Sequence, residues 1–129
     1  MSIIKTLLLN MKFVIHENNV IWGTVWHIIT TDGKGHIAAE IEYDDNDVVG
    51  DMIFFSGLSV YGDSRNKGYG KSLIAEAESI GIKLHVKRFR LNVDKGREDL
   101  LEYYKKLGYE VFDEYDNEYK LVKYNNTVY

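Results

Sequence analysis

The spacing of apolar positions along the chain first changes between residues 62 and 67. Before that the pattern is strand-like: residues 12–16, 20–30, 35–44 and 51–60 are rich in β-branched and aromatic side chains. Asn18-Asn19, Asp32-Gly33-Lys34-Gly35 and Asp44-Asp45-Asn46-Asp47 punctuate these runs as turns. Connections this short predict an antiparallel meander. Gly57, inside the last of the four runs, predicts a β-bulge. After residue 67 the period becomes helical, with Leu73, Ile74, Ala77 and Ile80 on one face of a helix over 68–80 and Gly81 as its stop. Residues 87–93 alternate, Arg88, Arg90 and Asn92 against Phe89, Leu91 and Val93, which predicts a strand. A second helix over 97–107 carries Leu100, Leu101, Tyr104 and Leu107 on one stripe and stops at Gly108. Residues 109–112 and 119–124 predict a closing hairpin around 113–118.

Composition narrows the class. With 129 residues, 45% apolar and 28% charged, the chain is expected to form one globular domain over 1–129. It has no cysteine, which excludes a disulfide framework and a thiolate zinc site and fits a reducing compartment. The four histidines, His16, His27, His36 and His85, show no metal-ligand spacing and read as packed or surface residues, so no metal is expected. The longest nearly apolar stretch, 20–29, is broken by Gly23, Thr24 and His27 and falls short of the roughly 18 residues a membrane helix needs. A soluble, cytoplasmic protein without a membrane partner is the expectation.

Charge is unevenly placed. Residues 1–64 carry three Lys/Arg against nine Asp/Glu, 65–97 carry nine against three, and 98–129 carry four against eight. A basic middle in a chain of net charge −4 suits a small anionic ligand and argues against a nucleic acid, which needs a basic face across the domain.

That basic segment opens with Leu58-Ser59-Val60-Tyr61-Gly62-Asp63-Ser64-Arg65-Asn66-Lys67-Gly68-Tyr69-Gly70-Lys71-Ser72, a predicted strand running through a glycine-containing loop into a helix N-terminus. Glycines there let successive backbone N–H groups face one anion, and the helix dipole adds attraction. Arg65, Lys67 and Lys71 supply charge to this phosphate cradle. A P-loop would need glycine where Arg65 stands, and a dinucleotide fingerprint would need it at Leu73. The pattern that does match is Arg/Gln-x-x-Gly-x-Gly/Ala, here Arg65-Asn66-Lys67-Gly68-Tyr69-Gly70, five residues after the strand residue Val60. With Tyr104-Lys105-Lys106-Leu107-Gly108-Tyr109 at the end of the second helix, the chain resembles the GCN5-related N-acetyltransferase superfamily over roughly residues 35–124.

The resemblance implies an α+β fold with a mixed, mostly antiparallel central sheet and flanking helices. It implies acetyl-coenzyme A as cofactor, and a primary amine as acceptor, either a small molecule or a protein lysine or N-terminus. Leu58, Ser59 and Val60 would follow the pantetheine arm, and Arg65, Asn66, Lys67, Gly68, Tyr69, Gly70, Lys71 and Ser72 would hold the pyrophosphate. A bulge in the strand before the loop would free a backbone N–H to polarise the thioester carbonyl. Tyr104 matches the tyrosine that protonates the coenzyme A thiolate in many members; on its residues alone it also reads as a core tyrosine beside Leu100 and Leu107.

The chain departs from the family pattern at several places. Residues 52–56 lack the glutamate many members carry there, leaving Glu40, Glu42 and Asp51 as the nearest strand carboxylates. Arg97 stands where an asparagine is common, and Gly62 where a proline is. Members place two helices between their first two strands to wall the acceptor pocket, and residues 1–20 have no room for a pair. The expectation is an acceptor side that is open or completed by a partner in a homodimer. The alternative reading of these departures is a non-catalytic binding or regulatory module.

Overall fold

The computed structural model describes residues 11–44, 47–48, 51–65 and 67–129. Strands β1 (Phe13–Val20), β2 (Gly23–Thr30), β3 (Gly35–Asp44) and β5 (Met52–Val60) form the expected antiparallel meander, with the two-residue β4 (Asp47–Val48) paired to the end of β3. Helix α1 (Tyr69–Lys83) then carries the chain to β6 (Arg88–Asp94), which lies parallel to β5. A parallel neighbour demands such a crossover. Helix α2 (Glu98–Lys106) leads into β7 (Glu110–Glu114) and β8 (Glu118–Tyr124), and the sheet order is β1-β2-β3-β5-β6-β8-β7. This is the α+β, mostly antiparallel architecture expected.

One face of the sheet holds the core. Ile28, Ile37, Ile41, Ile53, Phe55, Phe89, Leu91 and Leu121 pack with Leu73, Ile74 and Ala77 of α1 and with Leu101 and Tyr104 of α2. Period-2 alternation in the strands and helical spacing in α1 aim these side chains at one another. The opposite face carries the intervening residues, among them His27, His36, Glu40, Phe54 and Arg90.

Several boundaries differ from expectation. Asn18-Asn19 is not a turn: β1 runs on to Val20 and the hairpin turns at Ile21-Trp22. Across that hairpin Thr24 Oγ1 donates to Asn19 Oδ1 (2.9 Å) and Trp26 Nε1 to Glu17 Oε1 (2.8 Å), so cross-strand pairing outweighs the turn preference of two asparagines. The two-residue connection also means that no helix stands between β1 and β2. Asp44 and Asp47 flank a short pairing of β3 with β4; Asp45 and Asn46, also read as turn residues, lie outside the described residues.

Gly81 does not stop α1, which continues to Lys83, with Leu84 as the C-cap. His85, at φ 59°, takes the left-handed position that glycine usually fills beyond a helix end. Gly81 is glycine for a packing reason: a Cβ there would lie 2.8 Å from Phe89, 2.9 Å from Val86 and 3.0 Å from Ile53. Gly81→Ala should therefore lower stability by about 1–2 kcal/mol, since overpacking outweighs the gain in helix propensity. A chemical-denaturation midpoint equal to or above wild type would show that the three neighbours yield freely.

Candidate functional site

Pairing between β5 and β6 covers only three residues on each side, Met52–Phe54 against Arg88–Arg90. Beyond them β5 continues to Val60 beside β3, and β6 continues to Asp94 beside β8, so the two strands part. At the fork Arg90 lies 5.8 Å from the Phe54 ring and 4.6 Å from the Phe112 ring, and its guanidinium donates to the Leu121 carbonyl (2.8 Å). Burial, the larger influence, and neighbouring Arg88 lower the pKa of Arg90, yet a guanidinium stays charged at neutral pH.

Just past the fork the register of β5 against β3 shifts. Ala38 faces Ser56 and His36 faces Ser59, so Gly57 and Leu58 stand opposite Ile37 alone. This is the expected bulge, and Gly57 takes φ 64°, a conformation that costs glycine little. A bulged strand with no neighbour on one side has backbone polar groups free to meet something other than a strand.

The loop after β5 leads to the N-terminus of α1. Gly68 is the N-cap at φ 84°, without a side-chain cap, so the first N–H groups of the helix remain available. The turn between β2 and β3 braces this end. Thr30 Oγ1 donates to Asp32 Oδ1 (2.7 Å) and accepts from the Gly35 N–H (3.0 Å), while the Tyr69 hydroxyl donates to Asp32 Oδ2. These bonds, that from Thr30 first, hold the Asp32 carboxyl down at about 2 and raise the Tyr69 phenol. Lys34 adds an exposed ion pair to Asp63 (3.5 Å), and its carbonyl accepts from the Tyr61 N–H (3.0 Å). The sequence marks 32–35 only as a turn; its role in fixing Tyr69 depends on contacts 37 residues apart.

Most residues singled out from the sequence lie on this strand, loop and helix start. Leu58 and Val60 are half-buried, Ser59 is exposed, and Arg65, Lys67 and Lys71 are exposed near the helix end. Arg65 folds back so that Nε donates to the Val60 carbonyl (3.2 Å). Asn66 lies outside the described residues. At Gly70 a Cβ would sit 2.8 Å from the Tyr103 hydroxyl, which places α2 against the start of α1. Tyr103 was missed from the sequence, where Tyr104 took the attention; it is half-buried, and burial raises its pKa.

Tyr104 is 5% exposed and packs edge-on to Tyr103 and Tyr109 within the core cluster. Burial, with a smaller contribution from Tyr103, drives its pKa well above the ordinary phenol value. Among the described residues its hydroxyl has no hydrogen-bond partner, and none of their fully buried side-chain polar atoms is left unpaired, so the oxygen is not fully buried. Tyr109 differs: its hydroxyl donates to Glu78 Oε2 (2.7 Å), and Lys123 Nζ pairs with Glu78 Oε1 (3.0 Å). That buttress ties α1 to β8.

Of the other candidates, Glu40 alone lies beside the fork. Arg97 pairs with Asp99 (3.2 Å) at the start of α2, and Asp51 pairs with Lys87 (3.4 Å). Glu40 lies on the open face opposite Phe54, and Glu42 is exposed farther along β3. A cavity of about 360 Å³ between β1 and the far end of α1, lined by Trp26, Ile80 and Leu84, is remote from the loop. No group of three or more metal-ligating side chains occurs among the described residues, and none of their helices is long and apolar enough to cross a membrane.

The parallel pair opens at a bulge, and an uncapped helix N-terminus follows the same strand. The family model described as the acetyltransferase (GNAT) family matches residues 10–109, and the chain belongs to that family. The fold is similar to that of PaiA N-acetyltransferase from Thermoplasma acidophilum in complex with coenzyme A (TM-score 0.64, 21% identity, covering 78% of this chain and 60% of that one). It is likewise similar to Arabidopsis thaliana Naa50 in complex with the bisubstrate analogue CoA-Ac-MVNAL (TM-score 0.63, 23% identity, 77% and 71% covered). A Bacillus subtilis acetyltransferase in complex with coenzyme A matches at TM-score 0.62 and 13% identity, with 88% and 99% covered. Comparison with curated proteins finds no match.

The brace makes a direct prediction. Titration of the Asp32 carboxyl by NMR should give a midpoint near 2, and Tyr69→Phe should move it up toward the ordinary 3.8. Because the folded-state value is depressed, the brace is complete above pH 4 and is lost as the pH falls through about 2. A midpoint unchanged by Tyr69→Phe would remove Tyr69 from the network.

Proposed function

We propose that the chain transfers an acetyl group from acetyl-coenzyme A to a primary amine by direct attack of the amine on the thioester. The observation that carries this reading is the parting of β5 and β6 at the Gly57 bulge, next to the N-terminus of α1. The residues present fit coenzyme A. Backbone of Leu58, Ser59 and Val60 lines one side of the gap and can pair with an amide-bearing arm as a strand would. The N–H groups of Gly68, Tyr69, Gly70 and Lys71 at the start of α1 meet a pyrophosphate with the positive end of the helix dipole, while the Ser72 N–H already donates to the Gly68 carbonyl (3.0 Å) and leaves Ser72 its hydroxyl. Arg65 and Lys67 add charge from the loop, and Asn66 belongs to the same motif. The bound cofactor supplies an activated acetyl group; the chain supplies its orientation.

Tyr104 is the proposed acid. With its pKa raised by burial it holds its proton throughout the neutral range, and it presents that proton as a hydrogen-bond donor to a leaving sulfur. Complete transfer to a thiolate, ordinarily near 8.5, runs uphill, so stabilisation of developing charge is the larger part of its role. On the acceptor side, the two-residue β1–β2 hairpin leaves the face bearing His27, His36 and Glu40 without a helix between those strands to wall it. An open face admits an amine carried on a bulky molecule, a protein lysine or N-terminus as well as a small amine, and leaves room for a second subunit in a homodimer. The cysteine-free composition fits work in the cytoplasm.

Coenzyme A and acetyl-coenzyme A at about a hundredfold excess over the dissociation constant should each stabilise the protein by roughly 2.7 kcal/mol, several degrees in the melting temperature, and ATP should not. Stabilisation by ATP alone would contradict the assignment of the loop. Arg65→Glu should weaken coenzyme A binding at least tenfold without lowering the melting temperature of the free protein. Tyr104→Phe keeps the ring in the core and should lower turnover at least tenfold while coenzyme A affinity stays within twofold. Equal losses in both would return Tyr104 to a packing role.

A further inference from the structure

The bulge is held by a side chain from the neighbouring strand. His36 Nδ1 lies 3.1 Å from the Gly57 carbonyl, and its Nε2 lies 3.2 Å from His27 Nδ1. The two imidazoles stack with centroids 5.5 Å apart and planes 23° from parallel. A carbonyl oxygen only accepts, so His36 Nδ1 must carry the proton at that contact. In neutral His36 the other nitrogen, Nε2, then accepts, and His27 Nδ1 is the donor. His27 thus selects the tautomer of His36 that grips Gly57. The ring also sits over the glycine itself: a Cβ at Gly57 would lie 3.7 Å from His36 Cε1.

That grip has a consequence on the other side of the same peptide. The Gly57–Leu58 bond is trans, so the Leu58 N–H points opposite to the Gly57 carbonyl. The carbonyl is turned to His36 on β3, which directs the Leu58 N–H away from β3, where β6 has parted. Hydrogen bonding to an amide carbonyl polarises the amide and makes its N–H a stronger donor. A donor fixed before the reaction toward developing negative charge is the most effective kind.

Resting on the proposed acetyl transfer, we propose that His36, its tautomer set by His27, is a positioning residue that aims and strengthens the Leu58 N–H as the donor to the thioester oxygen. His36 touches neither cofactor nor acceptor in this role. It converts a bulge that glycine makes deformable into a fixed donor. The four histidines are scattered in the sequence, and only the register of β2 on β3 brings two of them to the bulge.

The test uses acetyl-coenzyme A labelled with 13C at the thioester carbonyl, without an acceptor, and reads both its affinity and its carbonyl infrared band when bound. With the wild-type chain the band should move to lower frequency than in water. His36→Leu, which keeps bulk and removes the donor, should lose more than half of that displacement while affinity for coenzyme A stays within twofold. His36→Asn, whose amide reaches about where Nδ1 stood, should restore most of it. A His36→Leu band equal to wild type, or an Asn variant as impaired as Leu, would overturn the role of His36. A wild-type chain that binds acetyl-coenzyme A with no displaced band would also overturn it and leave the acetyltransferase reading standing. Failure of the wild-type chain to bind acetyl-coenzyme A at all would overturn both.

Discussion

A parallel strand pair lasts only as long as both strands keep their ladder, and here the ladder between β5 and β6 ends after three residues. Everything that bears on function follows from that ending. β5 stays with β3 through a bulge, β6 stays with β8, and the backbone of Leu58 to Val60 is left with a neighbour on one side only. A backbone in that position must find water or a ligand, and an extended chain carrying amides is the natural partner. On either side of the opening, β1, β2 and β3 pair in sequence and β6, β8 and β7 pair in turn, and side chains of both helices join the core cluster.

The proposed anion site is the other half of the same construction. Helix α1 begins at Tyr69, after the loop that follows β5, so the positive end of its dipole faces that loop. Its first turn is not capped by any side chain, and the brace from Thr30 through Asp32 to Tyr69 holds it in place from the β2–β3 turn. On the far side, the proximity of Tyr103 to Gly70 sets the spacing of α2 against the start of α1. The bulge at Gly57 and the uncapped helix are separate features in the sequence, and the fold joins them through one loop.

Much of this could be read from residue order because it is local. The meander, the bulge at Gly57, the glycine-containing loop and the second helix each rest on neighbours within a few positions. What could not be read depends on register. Two asparagines that favour a turn were carried into β1 by cross-strand bonds of Thr24 and Trp26, and Gly81, which favours a helix end, was kept inside α1 by the approach of Phe89. Tyr103 and the His27–His36 pair escaped for the same reason: a contact between strands or helices leaves no mark on either segment taken alone. The motif marked the loop proposed for the cofactor, while the donor geometry around the bulge needed the fold.

The account stands on the claim that the gap between β5 and β6 receives the cofactor arm. Backbone amide NMR during titration with coenzyme A tests it most directly. The account predicts the largest shift changes at Gly57 to Val60 and at Lys67 to Ser72, with little change at Trp26, Ile80 and Leu84 around the remote cavity. Saturable shifts confined to that cavity, with the amides of Leu58 to Val60 unmoved, would contradict it.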